Sequence, residues 1–163
     1  MNGGGEDSVR VRPARAEDRA FVLETAPRLA AFGPPEWRTP EEVVEGEART
    51  LRAFFERPPE GAMLLVAETA AIGPAGFAYL ETLRDYFTGE AHAHVGILAV
   101  SERAEGRGVG SALLAAAEDW ARSRGARTLT LNVFEGNRRA RALYERRGFL
   151  PESLRYVRRL EKS

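Results

Sequence analysis

Val95-Gly96-Ile97-Leu98-Ala99-Val100 leads to Glu105-Gly106-Arg107-Gly108-Val109-Gly110-Ser111, and then into Ala112-Leu113-Leu114-Ala115-Ala116-Ala117. An apolar run, a glycine turn and a helical pattern follow one another. Glycines let the backbone approach a ligand closely, and the first amides of a helix have no partner inside it. The helix dipole adds partial positive charge at the same place. The stretch therefore points to a phosphorylated ligand.

Working outward, the pattern predicts a short strand over 9–12 and a helix over 16–31, broken by Gly33-Pro34-Pro35. Thr39-Pro40-Glu41-Glu42 opens a second helix, which runs to about Phe55. Strands are expected over 62–69, 72–83 and 91–100, with a loop at 85–90. The helix after the glycine turn covers 109–124, and Gly125 stops it. A strand over 128–134, a helix over 138–147 and a last strand over 154–160 complete the order. This is an α/β (α+β) arrangement, a mixed sheet with helices on both faces. It makes one domain over 8–163 after a flexible tail at 1–7.

The chain has 163 residues, enough for one real core, and zero net charge. Neutrality gives no bulk electrostatic case for nucleic acid or an acidic membrane. No apolar run is long enough to span a bilayer, and the N-terminus lacks a signal-peptide core, so a cytoplasmic setting is expected. There is no cysteine, which removes disulfides and a thiol nucleophile. Any group transfer is therefore direct or uses another residue. No metal-ligand cluster appears. Lys162 is the single lysine, so arginine carries the positive charge.

The glycine turn alone leaves the ligand open. Gly110 is followed by Ser111-Ala112, with no lysine for a nucleoside-triphosphate loop, and a dinucleotide site wants wider glycine spacing. A second segment narrows the choice. Asn137-Arg138-Arg139-Ala140-Arg141-Ala142-Leu143-Tyr144-Glu145-Arg146-Arg147-Gly148-Phe149 resembles the closing motif of the GNAT (GCN5-related N-acetyltransferase) superfamily. With Leu98-Ala99-Val100 and the glycine turn, it is similar to that family's acetyl-CoA site. The resemblance is close over 95–149 and coarse before that.

The resemblance implies a GNAT fold whose central sheet is splayed at its middle strands. The expected gap opens at Val100 and Phe134. It implies acetyl-CoA as donor, with Leu98, Ala99 and Val100 pairing the pantetheine arm as a strand would. Gly96 stands where a bulge would help the splay. The diphosphate would rest on the amides of Arg107, Gly108, Val109, Gly110 and Ser111. Glu105 departs from the family, which carries Arg or Gln there; Arg103 or Arg107 is the expected compensation. Asn137 caps its helix and, in the family, also meets the cofactor arm, which passes close to the small Ala140. Tyr144 is the implied general acid, protonating the departing thiolate.

An amine with a pKa of about 10.4 must lose a proton before it attacks. His94 falls where the protein-lysine branch of the family has its glutamate, and imidazole titrates near neutrality. His92 shares its strand face, and Glu81 and Asp85 are further candidates. An acid at the position of Gly96, common elsewhere in the family, is missing. Phe32, Glu36, Trp37, Glu81, Tyr86 and Phe87 are candidates to line the acceptor pocket. The expected activity is direct acetyl transfer from acetyl-CoA to a primary amine, on a small molecule or a peptide, with a homodimer as family habit. The rival reading is a non-catalytic acyl-CoA sensor on the same fold; a longer acyl donor is a further alternative.

Overall fold

In the computed structural model, which describes residues 8–161, one five-stranded sheet carries the chain. Its strands are β1 (Arg10–Pro13), β2 (Met63–Thr69), β3 (Gly73–Arg84), β4 (Ala91–Val100) and β5 (Leu129–Leu131), side by side in chain order. The first four pair antiparallel; β4 and β5 are parallel. The parallel pair needs a crossover, and α3 (Val109–Ser123) supplies it. The expected tail at 1–7 lies outside the described residues.

Alternation of side chains gives the sheet two apolar faces. Ala78, Leu80 and Val95 pack under Leu113, Leu114 and Ala117 of α3. Phe77, Tyr79, Ile97 and Ala99 face the other way, against α1 (Arg19–Thr25) and α2 (Pro40–Glu56). Helix α2 begins as its sequence indicates. The Thr39 hydroxyl accepts from the Glu42 amide at 3.1 Å and the Glu42 carboxylate accepts from the Thr39 amide at 3.0 Å. Arg12 pins β1 to the next turn by a two-pronged pair with buried Asp18, at 2.7 and 3.0 Å, and reaches Glu68 at 3.0 Å. This guanidinium holds the Asp18 carboxyl below its usual range.

Two expected elements come out differently. The helix over 16–31 is α-helical only at Arg19–Thr25, with 3₁₀ turns at Ala16–Asp18 and Ala26–Ala30. Pro27 has no amide to donate and crowds the preceding turn, so the chain tightens there. Residues 154–160 form no strand and are exposed, although their pattern alternates. β5, three residues long rather than the seven expected over 128–134, offers too short an edge to hold another strand. Helix α4 (Arg138–Arg146) packs Leu143, Tyr144 and Phe149 onto the α3 side of the core. No helix among the described residues is long and apolar enough to cross a membrane.

Candidate active site

The sheet opens between β4 and β5. Their pairing runs from Ala93↔Leu129 to Val95↔Leu131 and ends there. The gap therefore starts five residues earlier on β4 than the expected Val100, and three earlier on β5 than Phe134. The cause is a bulge. Tyr79 pairs with Ile97 and Leu80 with Val95, so Gly96 is the extra residue that bends β4 away from β5. Beyond it, β4 stays bonded to β3 on one side only. Ser101 donates to the Ala75 carbonyl at 2.9 Å. By alternation, Leu98 and Val100 turn their backbone groups toward the open side, while Ala99 bonds to β3.

The open edge leads to the glycine turn. Gly106 and Gly108 have φ of +72° and +76°, in the left-handed region, and a Cβ at either would meet only open space. Gly108 is the N-cap of α3, and no side chain caps that end. The amides of Val109, Gly110 and Ser111 thus face outward at the positive pole of a four-turn helix. Gly110 is small for another reason: a Cβ there would lie 3.0 Å from Leu143 of α4. The free amides suit an anion such as a diphosphate, and Gly106 and Gly108 leave the turn open toward it.

Glu105 does not intrude on it unopposed. Its carboxylate is paired with Arg28, from the 3₁₀ turn at Ala26–Ala30, and with Arg139 of α4 at 3.0 Å. Both guanidiniums also stack over the Phe32 ring, 5.1 and 5.7 Å from its centre. Arg28 further donates to the Val100 carbonyl at 3.3 Å. These two cations, unlike the expected Arg103 or Arg107, come from far along the chain. Gly33 clamps the same corner: with φ +72°, its Cβ would fall 2.3 Å from the Asn137 nitrogen. Asn137 caps α4 by accepting from the Ala140 amide at 3.1 Å.

Tyr144 lies on the α3 side, its ring edge-on to Phe149 with centres 6.0 Å apart. Burial raises its phenol above the usual value, so it keeps its proton through neutral pH. Across the sheet, Glu81 of β3 pairs in register with His94 of β4. His94 is 8% exposed, and its Nδ1 lies 2.8 Å from the Thr130 hydroxyl of β5. Burial, and then the nearby His92, lower its pKa, so the imidazole is neutral at pH 7. Glu47 of α2 faces the same region: burial, and then the charge of Glu81, raise its carboxyl. Burial and the charge of Glu81 likewise raise the Tyr79 phenol.

The Acetyltransferase (GNAT) family model matches residues 29–149. The chain belongs to the GNAT family. Relatives agree with that membership. A mycothiol acetyltransferase of Beutenbergia cavernae is 34% identical over 152 residues, covering 82% of this chain and 50% of that protein. An uncharacterized N-acetyltransferase, YhfO, of Bacillus subtilis is 46% identical over 52 residues, covering 32% of this chain and 35% of its own length. The chain thus spans half or less of these two curated relatives. Among solved structures, a putative acetyl transferase from Pyrococcus furiosus superposes with a TM-score of 0.75 at 22% identity, covering 94% of this chain and all of that one. That likeness shows the GNAT fold.

Within this GNAT domain the expected site residues separate into two groups. Leu98 and Val100 lie on the open β4 edge and residues 107–111 follow in the glycine turn, while Ala99 is buried against β3 and the α1 side, and Asn137 and Ala140 meet each other in the cap of α4. Glu81 and His94 meet on the opposite face. Tyr86 and Phe87 do not join them: they are 92% and 86% exposed and pack on each other at 5.3 Å, in the loop beyond the Arg84↔Ala91 pair. Asp85 is held in that loop, accepting from the Thr88 amide at 2.7 Å and the Phe87 amide at 3.0 Å. Trp37 is exposed in a turn after Pro35. Phe32 sits with Arg28 and Arg139. Sequence reasoning missed Arg28, Glu47, Tyr79 and Thr130. Glu47 had a signal: it falls four residues from both Val43 and Leu51, on the buried stripe of α2.

Proposed function

We propose that the chain is an acetyl-CoA-dependent N-acetyltransferase that acts on a primary amine by direct transfer, with donor and acceptor bound together. One observation carries this reading: the open β4 edge after Gly96 runs into an uncapped helix N-terminus lined by left-handed glycines. A long donor with amides in its arm and a diphosphate further along matches that sequence of groups.

Acetyl-CoA supplies an activated thioester when bound. The Leu98 amide, on the open edge, stabilises negative charge developing on the carbonyl oxygen. Tyr144 holds the proton that the departing sulfur requires. His94 and Glu81, which face each other across β3 and β4, are the candidates on the acceptor face to take a proton from the amine, with Glu47 of α2 beside them. The bond between His94 Nδ1 and Thr130 leaves Nε2 as the imidazole's other nitrogen. The acceptor is a small-molecule or peptide amine. Similarity to a mycothiol acetyltransferase supports acetyl as the group moved and is not carried over to the acceptor. A homodimer is the assembly proposed, on the family resemblance; light scattering tests it.

Thiol release with acetyl-CoA, measured against spermidine, an aminoglycoside, free lysine and a short peptide, tests the reading. Turnover on at least one amine is expected, reduced about 100-fold in Tyr144→Phe with acetyl-CoA affinity kept. Tight acetyl-CoA binding without turnover on any amine supports the sensor instead.

A further inference from the structure

Strand β4 carries no carboxylate between Ala91 and Val100. Its bulge residue, Gly96, leaves a space, and the occupant of that space comes from the neighbouring strand. A Cβ on Gly96 would stand 3.2 Å from Glu81 Oε1 and 3.1 Å from Tyr79 Cδ1. The Glu81 carboxylate therefore lies where a side chain of residue 96 would begin, at the point where β4 leaves β5. Leu98, whose amide faces the gap, is two residues further on.

Glu81 and Glu47 are both uncommitted acids of this face, and of the two it is Glu81 that reaches the space at Gly96. Among the described residues, no ion pair or hydrogen bond occupies its carboxylate. Asp85 is tied into its loop, and one nitrogen of His94 is tied to Thr130. The titratable groups facing Glu81 are Glu47 from α2, Tyr79 from its own strand, and His94 with His92 from β4. No arginine or lysine is among those groups to hold it, and a second carboxylate beside it favours a positively charged amine.

We propose that Glu81 is the general base of the acetyl transfer, presented from β3 through the space that Gly96 leaves open. This rests on the acetyltransferase reading above. The ammonium group of the acceptor gives one proton to Glu81, directly or through one water, and Glu81 releases it to solvent. The freed nitrogen lone pair forms the C–N bond as the C–S bond breaks. Tyr144 protonates the sulfur, and the second proton lost by nitrogen returns to Tyr144 through solvent. The amine loses two protons: one ends in water and one on the thiol.

The test is the pH dependence of kcat, from thiol release with the best amine of the panel, for wild type, Glu81→Gln, His94→Gln, Glu81→Ala and the double variant Glu81→Ala/Gly96→Glu. Gly96 has no positive φ, and Glu81→Ala removes one of the two groups its Cβ would meet, so the double variant returns a carboxylate to the same space from β4. Glu81→Gln is expected to lower kcat at least 100-fold near neutral pH and to abolish the acid limb, with KM for acetyl-CoA within twofold. His94→Gln keeps the acid limb. The double variant regains at least tenfold over Glu81→Ala. Loss of the acid limb in His94→Gln, with Glu81→Gln nearly as active as wild type, overturns the assignment in favour of His94 and leaves the acetyltransferase reading standing. A wild-type protein with no turnover on any amine removes that reading and the assignment with it.

Discussion

The proposed donor path and the proposed acceptor face lie on two sides of one strand and are built in opposite ways. The donor path is mostly backbone and largely contiguous: the β4 edge, Gly106, Gly108 and the first amides of α3 fall within fourteen residues. The acceptor face is made of side chains brought from α2, β3, β4 and β5, with Glu47, Glu81, His94 and Thr130 spread over 84 positions. A site made of amides depends on turn geometry. A site made of charged side chains depends on which distant groups lie beside it. Substitutions should therefore act through conformation on one side and through charge on the other.

The largest effect is expected at the corner that joins them to the N-terminal turns. Gly33→Ala combines a left-handed φ with a backbone clash against Gly136 and Asn137. A loss of about 3 kcal/mol in urea unfolding is expected, with both substrates weakened together. An unchanged midpoint would show that this corner does not hold the molecule together.

Gly108→Ala should separate the two sides. The left-handed cap costs an L-residue about 1–2 kcal/mol, so acetyl-CoA affinity by calorimetry should fall about tenfold. The KM for the amine should stay within twofold. Equal losses on both sides would mean that the donor path is not independent.

A smaller change is expected at Glu105→Gln. Removing this carboxylate frees Arg28 and Arg139 toward an incoming phosphate. Donor affinity should rise about two- to fivefold, with a steeper dependence on salt. Weaker binding would show that the ion pairs instead hold the turn in shape.

The least effect is a pH dependence of stability. Burial lowers the His94 pKa below its unfolded value, so protonation favours the unfolded chain. Its contribution is complete above about pH 6.5 and is lost as pH falls through the folded pKa. His94→Gln should flatten the stability profile below pH 6.5. An unaltered profile would contradict the buried, neutral imidazole.

The same contrast explains what the sequence showed. Strand β4 was legible to the residue, because its alternation and flanking turns are local. So were the caps of α2 and α4 and the glycine of the bulge, Gly96. The exact place where the strands part was not, because Gly96 acts through its register against Tyr79 and Leu80 on another strand. Alternation alone made 154–160 look like a strand, but a strand forms only with a partner edge of sufficient length. Arg103 or Arg107 looked like the partner of Glu105, because Arg28 lies 77 positions earlier. Glu81 was one acid among several until the space beside Gly96 set it apart.

Amide hydrogen exchange with and without coenzyme A tests the central claim most directly. Protection is predicted at Leu98 and Val100 and at residues 108–111, with Glu47, Glu81 and His94 little changed until an amine is added. Protection confined to other surfaces, with the gap and the glycine turn exchanging as before, would contradict the account.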